Sequence, residues 1–140
     1  MYKGRHYVEF RHSGGVYNNL YYGVVDDTFN AGSGQAAFQT AAGGTWMIHH
    51  QNGQLYVGNT GTKWPGQSLV QGNSGTVLGL LLDLDAGGLS VYKAGKCLGW
   101  AVPPGSLVGP LRWNADVHCR TDQQQQQGSG VRVDAKPVPS

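Results

Sequence analysis

The chain has 140 residues, enough for one domain with a core of its own and no cysteine staples. Its 23 glycines, single glutamate (Glu9) and 13% charged residues argue against a helical protein and for a turn-rich, all-β one. The net charge of +2, with Lys and Arg scattered from Lys3 to Lys136, gives no case for DNA, RNA or an anionic membrane, and no apolar run is long enough to span a bilayer.

In chain order, "HYVEF" (6–10) reads as a strand with Tyr7 and Glu9 on one face. "RHSGGVYNN" (11–19) reads as a polar loop, and "LYYGVV" (20–25) as a second strand. "WMIHH" (46–50) and "LYVG" (55–58) flank "QNGQ", where Asn52-Gly53 is a hairpin signal. "TVLGLLLDL" (76–84) is a long buried strand, followed by "LSVY" (89–92) and "KCLGWAV" (96–102) on either side of Ala94-Gly95. "ADVHC" (115–119) and "VRV" (131–133) close the series. Between them "DQQQQQGSG" (122–130) lacks the apolar surface to order itself and reads as a floppy loop tip. The domain is expected to span 1–134, with "AKPVPS" (135–140) as a tail or the start of a linker.

Chemistry-bearing patterns are weak. "DLDAGG" begins like a calcium loop, but the twelfth position from Asp83 is Ala94, where a bidentate Glu is needed. Asp83 and Asp85 are expected instead to mark where one strand face turns polar, with Asp85 opening a turn through Gly87-Gly88. "GSGQAA" (32–37) matches a dinucleotide loop but lacks a preceding strand and a following acid. His49 and His50 point to opposite faces of a strand, so one is expected to be half-buried and the other solvated. Cys97, Cys119 and His118 have no structural-zinc spacing, so isolated thiols are expected. The thiols and the absence of an apolar leader in "MYKGRHYVEF" imply an intracellular protein. There is no nucleophile elbow and no Cys-His signature, so neither an enzyme nor a cofactor is expected. Of the tryptophans, Trp46 and Trp100 lie in strand patterns and belong in the core; Trp64, before Pro65, and Trp113 lie near loops and are candidates for exposed binding.

The run "GTVLGLLLDLDAGGLSVYKAGKCLGWAV" (75–102) resembles the signature of SPRY domains. Gly75, Val77, Gly79, Leu82 and Asp83 fit its first part; Leu89 to Lys93, Gly95, Lys96, Leu98 and Gly99 fit the strand–turn–strand that follows. "GRHYVEF" (4–10), "YYGVV" (21–25), Trp46, "GPLRWNADVH" (109–118) and "GVRVD" (130–134) resemble flanking family segments, so the resemblance covers about residues 4–134. Val8 stands where a Trp is usual, Thr76 where an Asp is usual and Ala94 where an Asn is usual, as in a distant member. Ala94 disfavours a type I′ turn, so a type II turn with positive φ at Gly95 is expected.

The resemblance implies a bent antiparallel β-sandwich of concanavalin-like type. It also implies a non-catalytic, monomeric module that recognises a protein or peptide through loops at one end, within a larger protein, ubiquitin-ligase or kinase parts included. By place in the fold, the candidate contacts are Val16, Tyr17, Asn18 and Asn19 with His118, Arg120 and Thr121; Trp64 and Trp113 are further candidates. The rival reading is a carbohydrate-binding module in which Trp64, Trp113, Tyr17 and Tyr56 stack on sugar rings.

Overall fold

The computed structural model describes residues 1–13, 17–29, 37, 44–70, 77–119 and 130–139. Alternation of apolar and polar residues, broken by glycine turns, builds ten strands here: β1 (Arg5–Ser13), β2 (Tyr17–Asp26), β3 (Thr45–His49), β4 (Leu55–Val57), β5 (Thr60–Thr62), β6 (Val77–Asp83), β7 (Gly88–Lys93), β8 (Lys96–Val102), β9 (Leu111–Cys119) and β10 (Gly130–Lys136). They form two five-stranded antiparallel sheets, ordered β10-β1-β6-β7-β8 and β5-β4-β3-β2-β9. This is the expected sandwich.

The inner faces carry the core. Val8, Phe10, Leu78, Leu80, Leu82, Leu89 and Val91 from the first sheet meet Leu20, Tyr22, Val24, Ile48 and Leu55 from the second. Leu82, at the middle of this layer, is fully buried; Trp46 and Leu98 pack on the core but are only partly buried. Phe10 and Tyr22 stack across the two sheets with centroids 4.7 Å apart and planes 10° from parallel. Gly23 allows β2 and β3 to approach: a Cβ there would overlap the Trp46 carbonyl oxygen. A second, smaller cluster of Tyr21, Val25, Phe29, Ala37 and Met47 covers the outside of the second sheet.

Several boundaries move outward from the sequence reading. Residues 11–13 and 17–19 are ladder, not loop, and Asn18 sits at a register irregularity between Tyr17 and Asn19. β9 begins at Leu111, and β10 continues through Ala135 and Lys136, which pair with Val8 and Tyr7. β5 was not anticipated, because "TGT" has no apolar alternation; its partner β4 supplies the order. The glutamines at 123–127 and the "GSGQAA" motif apart from Ala37 lie outside the described residues.

The β7–β8 turn corrects the expected type. Ala94 has φ 52° and Gly95 φ 80°, so both central residues are left-handed, the signature of type I′. Its twist matches the flanking strands, and that match outweighs the cost of an L-residue's Cβ in the left-handed region.

Two measurements check this description. Leu82→Ala should lower the unfolding free energy by about 2–5 kcal/mol in a urea melt, as a core truncation. Ala94→Asn should raise it by about 0.5–1 kcal/mol, because asparagine tolerates positive φ better than alanine.

Candidate functional site

Antiparallel pairing gathers chain connections at one end of the sandwich. Ser13 pairs with Gly130 and Tyr17 with Cys119, so the 14–16 and 120–129 connections leave from adjacent strand ends. Arg11 pairs with Val77, so the segment before β6 reaches the first sheet at this same end. The β7–β8 turn lies there as well, since Lys93 pairs with Leu78. On the second sheet, the β3–β4 loop joins them, because the His50 N–H donates to the Leu20 carbonyl at 2.8 Å.

That β3–β4 loop is held rigidly. The Gly53 N–H donates to the His49 carbonyl at 2.8 Å and the His49 N–H to the Gln54 carbonyl at 2.9 Å. The Asn52 N–H donates to His49 Nδ1 at 3.1 Å, and the Gln54 N–H to Asn52 Oδ1 at 2.9 Å. Beneath the loop Trp64 donates its Nε1–H to the Gly53 carbonyl at 2.6 Å. Gly53 has φ 77°, and a Cβ there would overlap the Gln67 carbonyl oxygen, so the loop sits directly on the 63–70 segment. Gln51 and Asn52 stand exposed at its tip. They are site candidates that the sequence reading passed over, although Asn52-Gly53 marked the turn that presents them.

The sequence candidates divide. The backbones of Tyr17, Asn18, Asn19 and His118 run side by side, with Asn19 paired to His118. Their side chains, together with Val16, Arg120 and Thr121, lie outside the described residues.

The tryptophans are exchanged relative to expectation. Trp64 is buried, at 7% exposure, and spends its N–H internally. Trp113 is half-buried on the inner face of β9, in a T-shaped contact with Phe10 at 6.2 Å. Neither offers a flat ring to a sugar. Trp100, expected inside, is 38% exposed on the outer face of the first sheet, where its ring lies over Gly88. Two bulges in β8 set that orientation against β7.

The histidine pair also departs from expectation. His49 and His50 do face opposite ways, one against Tyr21 at 4.7 Å and the other against Tyr22 at 5.7 Å, but both are buried. Burial holds the His49 imidazole below its ordinary pKa. Burial likewise pushes the Tyr21 phenol up, with Tyr56 and Asp116 adding to the shift.

The paired aspartates are occupied by the fold. Asp83 Oδ1 accepts from the Ala86 N–H at 2.9 Å, and its other oxygen lies 3.6 Å from Arg5. Asp85 does not open its own turn; it reaches across to the Gly4 N–H at 3.0 Å. Asp83, not Asp85, closes the turn into β7, its carbonyl accepting from the Gly87 N–H at 2.7 Å. The Cys97 thiol is exposed. Among the described residues no helix is long and apolar enough to cross a membrane.

The architecture has solved counterparts. The crystal structure of the SPRY domain of human HERC1 matches with a TM-score of 0.67 at 13% identity, covering 99% of this chain and 79% of that one. The crystal structure of the TRIM65 PSpry domain gives a TM-score of 0.63 at 17% identity, covering 99% of this chain and 67% of that one. No family sequence model matches, and no curated protein matches in sequence. The likeness is therefore one of fold, and the fold is that of an SPRY domain.

The shifted histidine gives a pH dependence. Above the ordinary imidazole value of about 6.5, His49 is neutral in both folded and unfolded chains. As pH falls below it, the unfolded chain takes up the proton first, so stability drops until the folded group titrates too. The urea midpoint should fall between about pH 7 and pH 5, with a shallower fall in His49→Gln.

Proposed function

We propose that the chain is a non-catalytic protein-interaction module that takes a partner's peptide or surface at the end where the 14–16, 50–54 and 120–129 connections converge. The observation that carries this reading is the convergence itself. Connections from both sheets start from paired strand ends, and one of them, the β3–β4 loop, is fixed by its own hydrogen bonds. Loops on a rigid β scaffold vary in sequence without disturbing it, the economical arrangement for recognition.

The acids near turns support a non-catalytic role, since Asp26, Asp83 and Asp85 each accept from backbone N–H groups. Tyr17 and Arg120 are the proposed anchors, one aromatic and one able to hold a carboxylate in two parallel hydrogen bonds. Val16, Asn18, Asn19, His118 and Thr121 surround them as further proposed contacts. The module is proposed to act as a monomeric, intracellular unit of a larger chain.

A photo-cross-linking residue placed at 18 or 52 should capture the partner, and one placed at 85, at the opposite end, should not. Tyr17→Ala and Arg120→Ala should abolish that capture with the melting temperature unchanged. Capture from 85 alone would move the site to the other end.

A further inference from the structure

On one side of the sandwich the two sheets end in β10 and β9, which approach each other there. Among the described residues β10 pairs with β1 alone, over the 7 residues from Gly130 to Lys136 and without a register shift. The free side of such a strand offers a row of backbone N–H and C=O groups to any extended chain. Proteins guard these edges with prolines, bulges or charges on the core-facing side. β10 has none of the three. Its core-facing register positions hold Val131, Val133 and Ala135, and Pro137 follows only after the strand has ended.

The core-facing side is also left uncovered. Val133 is 44% exposed although its partner Phe10 is fully buried, and Ala135 is exposed although its partner Val8 is buried. On the inner face of β9, Trp113 and Ala115 are only half-buried. A strand laid along β10 would widen the first sheet over this gap and take its apolar surface out of water.

The outer side of β10 selects which strand fits. Arg132, Asp134 and Lys136 alternate in sign along it. Across β1 the first two each meet their own sign, Arg132 opposite Arg11 and Asp134 opposite Glu9. Opposite charges facing each other across strands are favourable and like charges unfavourable. Arg132 and Asp134 bond each other along their own strand at 2.9 Å. Their remaining cross-strand position lies on the edge side.

We infer that the β10 edge takes an extended segment of a protein partner as a sixth strand, its outward residues running acid, base, acid with apolar residues between them. The acids stand opposite Arg132 and Lys136, and the base opposite Asp134. The pattern reads alike in both chain directions and fixes the register. A slip of two residues sets like charges face to face, and a slip of one turns the charges inward. A second copy of β10 fits less well. Paired antiparallel about Val133, it matches Arg132 with Asp134 but leaves Lys136 opposite Gly130; paired about Asp134, it opposes only like charges. The edge starts at Gly130, where the 120–129 connection ends, so it continues from the proposed loop-end surface. The inference goes beyond that reading by adding a side of the sandwich and the sequence class of its ligand.

The test follows the fluorescence anisotropy of two labelled, terminally blocked peptides, Ser-Glu-Val-Lys-Val-Glu-Ser and its charge-reversed form Ser-Lys-Val-Glu-Val-Lys-Ser. The first should bind about tenfold tighter or more, since three favourable facing pairs replace three unfavourable ones. The triple variant Arg132→Glu/Asp134→Lys/Lys136→Glu should invert that preference. It also sets opposite charges against Arg11 and Glu9, so its urea midpoint should hold or rise, which separates altered recognition from lost folding. Every other residue of an added strand turns its N–H to the neighbouring strand. N-methylation of the two valines and N-methylation of the Glu, Lys and Glu should therefore differ, one abolishing binding and the other sparing it, a contrast that charge attraction alone does not give. Equal binding of the two peptides, an unchanged preference in the triple variant, or equal effects of the two methylations would overturn the inference. So would sedimentation as a dimer that Arg132→Glu dissolves, which would give the edge to a second copy. If cross-linking from 18 or 52 captures a partner while neither peptide binds, the loop-end reading stands and the sixth strand falls.

Discussion

The contact on which the rest depends is the stack of Phe10 on Tyr22. The two rings belong to different sheets, both are fully buried, and they lie nearly parallel at 4.7 Å. Stacked aromatics add a geometric preference to the area they remove from water. β1 and β2 are consecutive strands joined by residues 14–16, so this stack holds the two sheets face to face beside that connection. Trp113 meets Phe10 in a T-shaped contact and extends the packing to β9, the strand that leads into the 120–129 connection. The placement of both connections is thus a consequence of core packing.

The outer faces follow a different rule. Tyr7 lies over Gly79, Trp100 over Gly88 and Tyr56 over Gly61, each glycine on a neighbouring strand. A glycine inside a strand leaves a bare stretch of backbone, and a cross-strand aromatic ring covers it. In each pair the ring has the space because the glycine has no Cβ. Tyr7 then bonds Glu9 and meets Tyr92 edge-on at 5.4 Å, so one covered glycine organises a run of side chains across three strands. Burial and the Glu9 carboxylate together push the Tyr7 phenol up.

The strands of the first sheet were legible because their signals are local. Leu78, Leu80 and Leu82 alternate with the residues that face outward, and Gly87-Gly88 and Ala94-Gly95 break the run at the right places. The type of the second turn was not, because the twist of two paired strands decided it against the preference of Ala94. Trp64 was misplaced for a similar reason. Its neighbours Lys63 and Pro65 are exposed, and its burial comes from joining the core cluster and from the distant Gly53 carbonyl that takes its N–H. His49 and His50 were both buried by aromatic partners from β2 that no spacing rule reveals. At the candidate site, position could be inferred from strand order, whereas cross-strand neighbours arise from register: Arg11 and Arg132 are 121 residues apart in sequence yet directly opposed in the sheet.

The two long sides of the sandwich are closed by unlike means. On one side the 63–70 segment crosses from β5 toward β8, with Trp64 anchored under the β3–β4 loop and Gly66 lying against the Leu98 carbonyl. On the other side β9 and β10 are sheet edges; Val133 is 44% exposed and Ala135 is exposed as well, although their strand partners Phe10 and Val8 lie in the core. The sandwich therefore resembles a book bound along one edge. Local opening is easiest where little apolar surface must be uncovered, as along the β10 edge on the side without the strap, with the Trp64 strap acting as the spine. Because β10 leads out of the 120–129 connection, the first pages to part would carry half of the loop end with them, and whatever clasps that end would also hold the book shut.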